Sequence, residues 1–174
     1  MSGISYDLNK IKGVVFDVDG VLSPSVVPMD ENGKPVRMMN VKDGYALLLA
    51  VKKGLRIAII TGGDADCIKK RFEHIGINDV YGNISHKLPV LNDWIQKESL
   101  QNEEVAYMGD DIPDLQCMRA VGLSCAPHDA SVEALATAGY ISPFNGGYGC
   151  ARDLLHQILR AKGQWMASEK DFIW

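Results

Sequence analysis

Two aspartates separated by one residue are the strongest indication of chemistry in this sequence. Asp17 and Asp19 follow the apolar run 14–16, which predicts that they stand at the end of a buried β-strand. Side chains at i and i+2 of an extended chain point to the same side, so the two carboxylates repel each other unless a cation or a shared proton intervenes. A hard divalent metal is their natural partner. The alternative is a turn with two solvated acids.

Residues suited to anion binding follow the next apolar runs. Thr61 ends the run 57–60, and its hydroxyl together with the backbone N–H groups of Gly62 and Gly63 can donate hydrogen bonds to an anion. Lys87 stands at a predicted helix start, where the helix dipole disfavours a cation, so its position indicates an anionic partner. The alternatives are an ordinary loop and a solvated lysine.

A second acidic cluster follows the apolar run 105–108. It contains Asp110, Asp111 and Asp114. Because the carboxyl ends of parallel strands meet at one edge of a sheet, this cluster is expected beside the first acidic pair. Several acids directly after an apolar strand are not typical of ordinary solvated surface residues.

Regularly alternating elements are expected to position these residues. Short runs rich in β-branched residues alternate with segments of helical period, which predicts an α/β fold with a doubly wound, Rossmann-like, mostly parallel sheet. The predicted strands are 14–16, 57–60, 105–108, 123–125 and 140–141. Helices are predicted at about 43–53, 64–75, from 87 onward, 113–121, 130–138 and 149–160.

The segment 21–41 interrupts this alternation and predicts a protruding β-hairpin, here called the flap. Its two extended stretches flank Asp30-Glu-Asn-Gly33, and Asn-Gly is typical of hairpin turns because both residues tolerate positive φ. Four apolar side chains would stay exposed in a monomer: Val26, Val27, Met38 and Met39. An oligomer that buries the flap is therefore expected.

Length and composition fit a single domain spanning 1–174. The chain has 174 residues, of which 47% are hydrophobic and 23% charged, with a net charge of −4. We expect no nucleic-acid partner, no membrane span and no signal peptide, and hence a cytoplasmic location. The aromatic-rich tail at about 164–174 is expected either to dock on a neighbouring subunit or to remain a floppy terminus.

The ordered set Asp17, Asp19, Thr61, Lys87 and Asp110 resembles the haloacid dehalogenase-like phosphohydrolase superfamily. The resemblance implies that Asp17 is the nucleophile, that Asp19 is the general acid and base, and that Thr61 and Lys87 hold the phosphoryl group. It also implies Mg²⁺ as cofactor, held by the carboxylates of Asp17 and Asp110 and by the backbone carbonyl of Asp19.

The remaining acids and the course of the reaction follow from the same resemblance. Asp111 and Asp114 are expected to orient Lys87 or a metal-bound water. Asp17 would attack phosphorus in line and form an aspartyl-phosphate, which water then hydrolyses. The metal, Lys87 and Thr61 would offset charge on the transferring oxygens.

The gaps between the motifs are too short to hold a cap domain. This capless layout, with Asn40-Val-Lys-Asp-Gly44 and Gly146-Gly-Tyr-Gly149, resembles the subfamily of 3-deoxy-D-manno-octulosonate 8-phosphate phosphatases. The resemblance implies a phosphoric monoester hydrolase that acts on this phosphorylated sugar acid for lipopolysaccharide synthesis. It also implies a homotetramer in which flaps pack together and each site is closed by a neighbouring subunit.

The residues expected to select the substrate depart from the relatives. Relatives that act on the octulosonate ester typically carry Arg after the Thr-Gly pair and between the late glycines, and a branch acting on 2-keto-3-deoxynononate 9-phosphate tends to carry Glu there. This chain has Gly63 and Tyr148, so a nine-carbon or related sialic-acid-type ester is the alternative substrate. The predicted substrate-binding residues are Gly62, Arg71 for the carboxylate, and His74 on the same helical face.

Two interpretations of a different class stay open. A response-regulator receiver also combines Mg²⁺, a phosphorylated Asp, Thr and Lys on a doubly wound sheet. Its adjacent acids end the first strand, however, and its phospho-acceptor ends the third, which this sequence does not match. A catalytically silent scaffold that keeps only the tetramer is the other interpretation, and the intact motifs give it little support.

Overall fold

The computed structural model describes residues 3–173 of the chain. Within that range one sheet contains six parallel strands, numbered β1 to β6: Gly13–Phe16, Arg56–Ile60, Asp79–Tyr81, Val105–Met108, Leu123–Ala126 and Tyr140–Ile141. The α-helices described there are α1 to α6: Val41–Lys52, Asp66–His74, Lys87–Lys97, Leu115–Ala120, Val132–Thr137 and Cys150–Ala161. Short 3₁₀ turns cover Leu8–Lys10, Asn102–Glu104, Ile112–Asp114 and Glu169–Phe172.

The strand order places the first strand of the chain at the centre of the sheet. The order is β3-β2-β1-β4-β5-β6, and Phe16 at the end of β1 lies opposite Ile59 on one side and Met108 on the other. Successive strands run outward from β1 to β3 on one side and from β4 to β6 on the other, so the switch point lies between β1 and β4. Open α/β sheets bind ligands at such a switch point, just beyond the carboxyl ends of the strands. The predicted doubly wound fold is confirmed.

Helices cover both faces of the sheet, as consecutive apolar residues in the strands predict. Val14 and Phe16 belong to a core that includes residues of α1, α2 and α6, whereas Val15 belongs to a second core that includes residues of α3, α4 and α5. Every residue of β1 is buried, so the end of this strand is held rigidly. Over the described part of the chain, no helix has the length and apolar character needed to cross a membrane.

The edge strand β3 was not predicted. Its residues are only half-buried and it begins with Asp79, so it shows neither a long apolar run nor clear alternation. Pairing with β2 forms it, and Trp94 Nε1 donates to the Asp79 carboxylate at 3.2 Å. Predicted helix starts also shift by a few residues. The second helix starts at Asp66 because Asp64 accepts a hydrogen bond from the Asp66 N–H at 2.9 Å, in a turn that precedes the helix.

The flap is an irregular hairpin loop without regular strands. Its turn forms where predicted, since the Asp30 N–H donates to the Lys34 carbonyl at 2.8 Å. The two arms meet at one antiparallel bridge, between Met29 and Pro35. The flap contains three prolines, which lack the N–H that a longer ladder needs.

The apolar side chains of the flap differ in their exposure. Val26 is 82% exposed and Met38 is 53% exposed, as predicted. The exposure predicted for Val27 and Met39 is wrong, since Val27 is half-buried and Met39 is partly buried against the core that contains α1 and α6. Met29 and Val36 are also exposed, at 66% and 50%, so the flap keeps several apolar side chains in solvent.

The tail over residues 164–173 contacts its own chain. Trp165 packs against the core that contains α1 and α6. Asp171 forms an ion pair with Lys53 at 2.8 Å. The described tail is therefore anchored and not floppy, while Trp174 lies outside the described residues. Docking on a neighbouring subunit stays a prediction.

Candidate active site

The carboxyl ends of the central strands bring most of the predicted site residues around one cavity of about 430 Å³. Its lining includes eight of them: Asp17, Asp19, Thr61, Gly62, Lys87, Asp110, Asp111 and Asp114. The other lining residues are Ser25, Gly63, Ile84, Ser85 and Pro113. The cavity thus lies at the sheet edge that the sequence predicts.

Asp17 stands one residue beyond β1. Its backbone N–H donates to the Met108 carbonyl at 3.1 Å, which ties it to β4. The residue is 7% exposed, and its Oδ1 lies 3.0 Å from Lys87 Nζ. Burial, and then the nearby Asp114 carboxylate, raise the pKa of Asp17 to about 7, against the opposing effect of Lys87. A further cation close to Asp17 would lower this pKa and favour the ionised carboxylate.

Lys87 is the first residue of α3 and is 4% exposed. Its Nζ lies 3.0 Å from Asp17 Oδ1 and 2.8 Å from Asp114 Oδ1. Burial alone would lower the pKa of Lys87, but these two carboxylates raise it above its ordinary value. Lys87 is therefore a buried, charged group aimed at the acidic cluster, and the alternative of a solvated lysine is wrong.

Asp114 uses both of its oxygens to organise the site. Oδ1 accepts from Lys87 Nζ at 2.8 Å and from the Tyr107 hydroxyl at 2.7 Å. Oδ2 accepts from the backbone N–H of Asp110 at 3.1 Å and from that of Asp111 at 3.4 Å. Tyr107 was not predicted, although a tyrosine within a buried strand signals a hydroxyl that needs a partner. With four donors around it, the carboxylate is suited to positioning its neighbours.

Asp17, Asp110 and Asp114 each place a carboxylate oxygen within 4.8 Å of the others. Burial, followed by Asp17, Asp114 and Asp111, raises the pKa of Asp110 to about 8. Gly20 has φ of 89°, and a Cβ at this position would overlap the Asp110 carboxylate. Hard oxygens forced together in this way fit a divalent cation such as Mg²⁺. Because Asp114 already accepts four hydrogen bonds, Asp17 and Asp110 are the carboxylates of this cluster that could bind such a cation.

The Asp19 carboxylate is paired with an arginine from the flap. Arg37 Nε lies 2.8 Å from Asp19 Oδ1, and Arg37 Nη2 lies 2.8 Å from Oδ2. Arg37 Nη1 also donates to the Asp64 carbonyl at 2.7 Å. The side-chain hydrogen bond to Asp19 raises the pKa of Arg37 further above its ordinary range. Sequence reasoning did not find Arg37, because the contact joins an irregular loop to a strand end.

Thr61 follows β2 and is 1% exposed. Its Oγ1 accepts a hydrogen bond from the Gly63 N–H at 3.2 Å, which leaves the hydroxyl hydrogen available as a donor. The backbone N–H of Thr61 donates to the Tyr81 carbonyl at 2.9 Å. The Gly63 N–H is therefore occupied within the loop, while Gly62 lines the cavity.

Comparison with protein families gives a match over residues 38–127 to the model described as haloacid dehalogenase-like hydrolase. The chain is also 37% identical over 154 residues to the 3-deoxy-D-manno-octulosonate 8-phosphate phosphatase KdsC of Escherichia coli K12, which covers 88% of this chain and 82% of that protein. The chain belongs to the haloacid dehalogenase-like hydrolase family. The predicted resemblance is confirmed, and the family supports a hydrolase over a receiver module.

Solved structures of haloacid dehalogenase-like hydrolases superimpose closely on this chain. The 3-deoxy-D-manno-octulosonate 8-phosphate phosphatase of Yersinia pestis aligns with a TM-score of 0.87 and 34% identity over 91% of this chain and 85% of that one. The phosphatase of that name from Moraxella catarrhalis was solved in complex with magnesium ion, phosphate ion and KDO. It aligns with a TM-score of 0.85 and 30% identity over 89% of each chain. These relatives are phosphatases, and this chain is a phosphatase of the same family.

Two predicted substrate-binding residues of this family member lie outside the cavity lining. Arg71 and His74 are exposed on α2. Arg71 instead lies beside the start of α1, where a Cβ on Gly44 would be 3.0 Å from its Nη2. Their roles stay predictions, because a single chain does not bring them to Asp17. Tyr148 is 60% exposed and also lies outside this lining.

Proposed function

We propose that this chain is a single-domain, Mg²⁺-dependent phosphomonoesterase that hydrolyses 3-deoxy-D-manno-octulosonate 8-phosphate through an aspartyl-phosphate. The observation that carries the proposal is the buried Lys87 ammonium between Asp17 and Asp114, at the switch point of the sheet. Relatives with this printed activity, matched over most of the chain, support the substrate.

Asp17 is the proposed nucleophile. It lines the cavity, and its backbone hydrogen bond to β4 fixes its position. In the proposed reaction one of its oxygens attacks phosphorus as the bond to the sugar oxygen breaks, and water then cleaves the acyl phosphate. Lys87 and the Thr61 hydroxyl would hold the phosphoryl oxygens, together with the N–H of Gly62.

Asp19 is the proposed general acid and base. It is two residues beyond the nucleophile and its side chain is 35% exposed on the cavity. As the sugar oxygen departs, Asp19 would donate a proton to it, and afterwards would take a proton from the attacking water. Both oxygens of Asp19 are engaged by Arg37, so this pairing must loosen before the proton moves.

The residues proposed to hold Mg²⁺ are Asp17, Asp110 and the backbone carbonyl of Asp19. Burial, and then the neighbouring carboxylates, raise the pKa values of Asp17 and Asp110, and a bound cation would offset both effects. When bound, the ion supplies positive charge that stabilises the phosphoryl oxygens in the transition state. Asp114 would keep Lys87 aimed at them, and Asp111 would orient a water at the rim.

The proposed assembly is a cytoplasmic homotetramer formed through the flap. The exposed Val26 and Met38 side chains support burial of the flap against other subunits. The proposed biological role is in lipopolysaccharide synthesis, as the relatives' substrate suggests.

A screen of phosphorylated eight- and nine-carbon keto acids, with magnesium and with EDTA, tests this function. We expect magnesium-dependent phosphate release that is fastest with 3-deoxy-D-manno-octulosonate 8-phosphate. Asp17→Asn should reduce it at least about 1,000-fold, while the exposed Asp93→Asn is the matched control. Faster release from 2-keto-3-deoxynononate 9-phosphate would assign the alternative substrate. No release from any ester would favour the silent scaffold.

A further inference from the structure

The ion pair between Arg37 and Asp19 engages the carboxylate that the proposed hydrolysis uses as its general acid and base. Two guanidinium nitrogens each lie 2.8 Å from a different Asp19 oxygen, so the carboxylate is held in bidentate fashion. The Arg37 side chain is only 3% exposed, although its backbone belongs to the flap. The Arg37 side chain thus extends from the flap to the carboxylate that the proposed reaction uses as general acid.

The chain leaves room for this guanidinium at Gly63. A Cβ at position 63 would overlap Arg37 Nη2 and would lie 3.4 Å from Asp19 Oδ2. Gly63 does not have positive φ, so the backbone itself does not require glycine there. The absence of a side chain at 63 thus serves the placement of Arg37.

The charges around the cavity indicate what Arg37 can bind. Among the residues that line it, Lys87 is the one cation, and five aspartates accompany it. Lys87 is already committed to Asp17 and Asp114. A substrate that carries a carboxylate as well as a phosphate therefore needs another cation. The Arg37 guanidinium meets this need, because it is paired with Asp19, which lines the cavity.

We propose that the Arg37 guanidinium releases Asp19 and binds the carboxylate of the substrate in its place. This inference rests on the proposed function. A sugar-acid carboxylate presents the same two-oxygen fork as Asp19, so a planar guanidinium can exchange one for the other and keep bidentate geometry. The exchange makes Arg37 a specificity-determining residue and frees both Asp19 oxygens to face the leaving group.

The middle of the flap, residues 26–36, forms its backbone hydrogen bonds within itself. Hydrogen bonds such as the Asp30 N–H to the Lys34 carbonyl stay within the flap, whereas Arg37 joins it to Asp19 and Asp64. Arg37 is thus a principal polar tie between flap and body.

The decisive experiment compares two esters in the full-length enzyme with magnesium. One is 3-deoxy-D-manno-octulosonate 8-phosphate, and the other is D-arabinose 5-phosphate, which lacks a carboxylate. We expect Arg37→Gln to lower kcat/KM for the sugar acid about 10- to 100-fold, as loss of a charged hydrogen-bonded pair implies. The arabinose ester should be unaffected or faster, because Asp19 is no longer held.

Three matched variants distinguish binding of the substrate carboxylate by Arg37 from a merely structural role of this residue. Gly63→Ala should expel the guanidinium and reproduce the change in substrate preference with Arg37 still present. Arg37→Lys should restore the preference only in part, since an ammonium cannot pair bidentately. Arg56→Gln removes an exposed arginine at the opposite edge of the sheet and should leave both esters unchanged.

Other outcomes would overturn the inference. Equal losses on both esters in Arg37→Gln would mean that Arg37 only braces Asp19 or the flap. A loss of preference in Arg71→Gln but not in Arg37→Gln would assign the carboxylate to Arg71. Calorimetric titration with 3-deoxy-D-manno-octulosonate itself gives a readout without turnover. If Arg37→Gln bound 3-deoxy-D-manno-octulosonate with unchanged affinity, the exchange would be wrong. If wild-type protein bound this acid through Arg37 but hydrolysed no ester, only the proposed function would be wrong.

Discussion

Replacing Asp114 by Asn tests whether this carboxylate organises the site. Asn has the same shape as Asp, but one of its two oxygens becomes an NH₂ group. In the folded protein Oδ1 faces two donors, Lys87 and Tyr107, and Oδ2 faces the backbone N–H groups of Asp110 and Asp111. Whichever way the amide turns, its NH₂ meets donors, and Lys87 loses one of its two charged partners.

The size of the effect follows from these contacts. Two hydrogen bonds that involve a charged group are lost, at about 1.5–3 kcal/mol each. Relief of the repulsion between Asp114 and its acidic neighbours offsets part of this, so we expect the free energy of unfolding to fall by about 2–4 kcal/mol. For a chain of this length the Tm should drop by roughly 4–16 °C.

The assay is urea and thermal unfolding of metal-free protein, with two matched variants. Tyr107→Phe removes a single donor from Asp114 and should cost about 1 kcal/mol. The exposed Asp93→Asn should change the free energy of unfolding by less than about 0.5 kcal/mol. If Asp114→Asn were as stable as wild type, or cost less than Tyr107→Phe, the assignment of a central bracing role to Asp114 would be wrong.

Three further predictions concern the metal site and the tail. Gly20→Ala should lower magnesium affinity at least about tenfold in calorimetry, since its Cβ would displace Asp110 and its φ of 89° is strained for alanine; wild-type affinity would contradict this. In EDTA, stability should fall as pH rises from about 5 to 8.5, because Asp17 and Asp110 have folded pKa values of about 7 and about 8 against an ordinary 3.8, so the folded state binds more protons in that window. Saturating magnesium should flatten this dependence in thermal melts, and a rise with pH in EDTA would refute the reasoning. Truncation after Gly163 should lower the Tm by several degrees through loss of Trp165 packing and of the Asp171 ion pair, and an unchanged melt would show that these contacts contribute nothing.

The sequence predicts those parts of the site that strand ends determine. Asp17, Thr61 and Asp110 each follow a buried apolar run, and parallel strands bring such positions to one edge. The central strands were predicted for the same reason, since burial on both faces leaves consecutive apolar residues. Lys87 follows from its helix start, where a cation has to have an acidic partner.

Other features depend on contacts that no local pattern encodes. Arg37 lies in an irregular loop, and its partner Asp19 is set by how that loop folds back. The strand β3 exists through pairing with β2 and not through its own residues. The flap carries turn residues that predict a hairpin, but its prolines prevent the ladder. Arg71 fits a pattern of charge on a helix, yet a single chain leaves it beside α1.

The central place of β1 has a consequence for how the enzyme comes into being. During translation β1 emerges early, but its neighbour β4 begins only at Val105 and supplies the carbonyl that fixes the Asp17 amide. A nascent chain still shorter than this contains Asp17, the proposed nucleophile, without the acids that follow β4. Hydrolytic capacity should therefore arise in one step, late in synthesis, and a ribosome-stalled fragment ending before that strand should be inert.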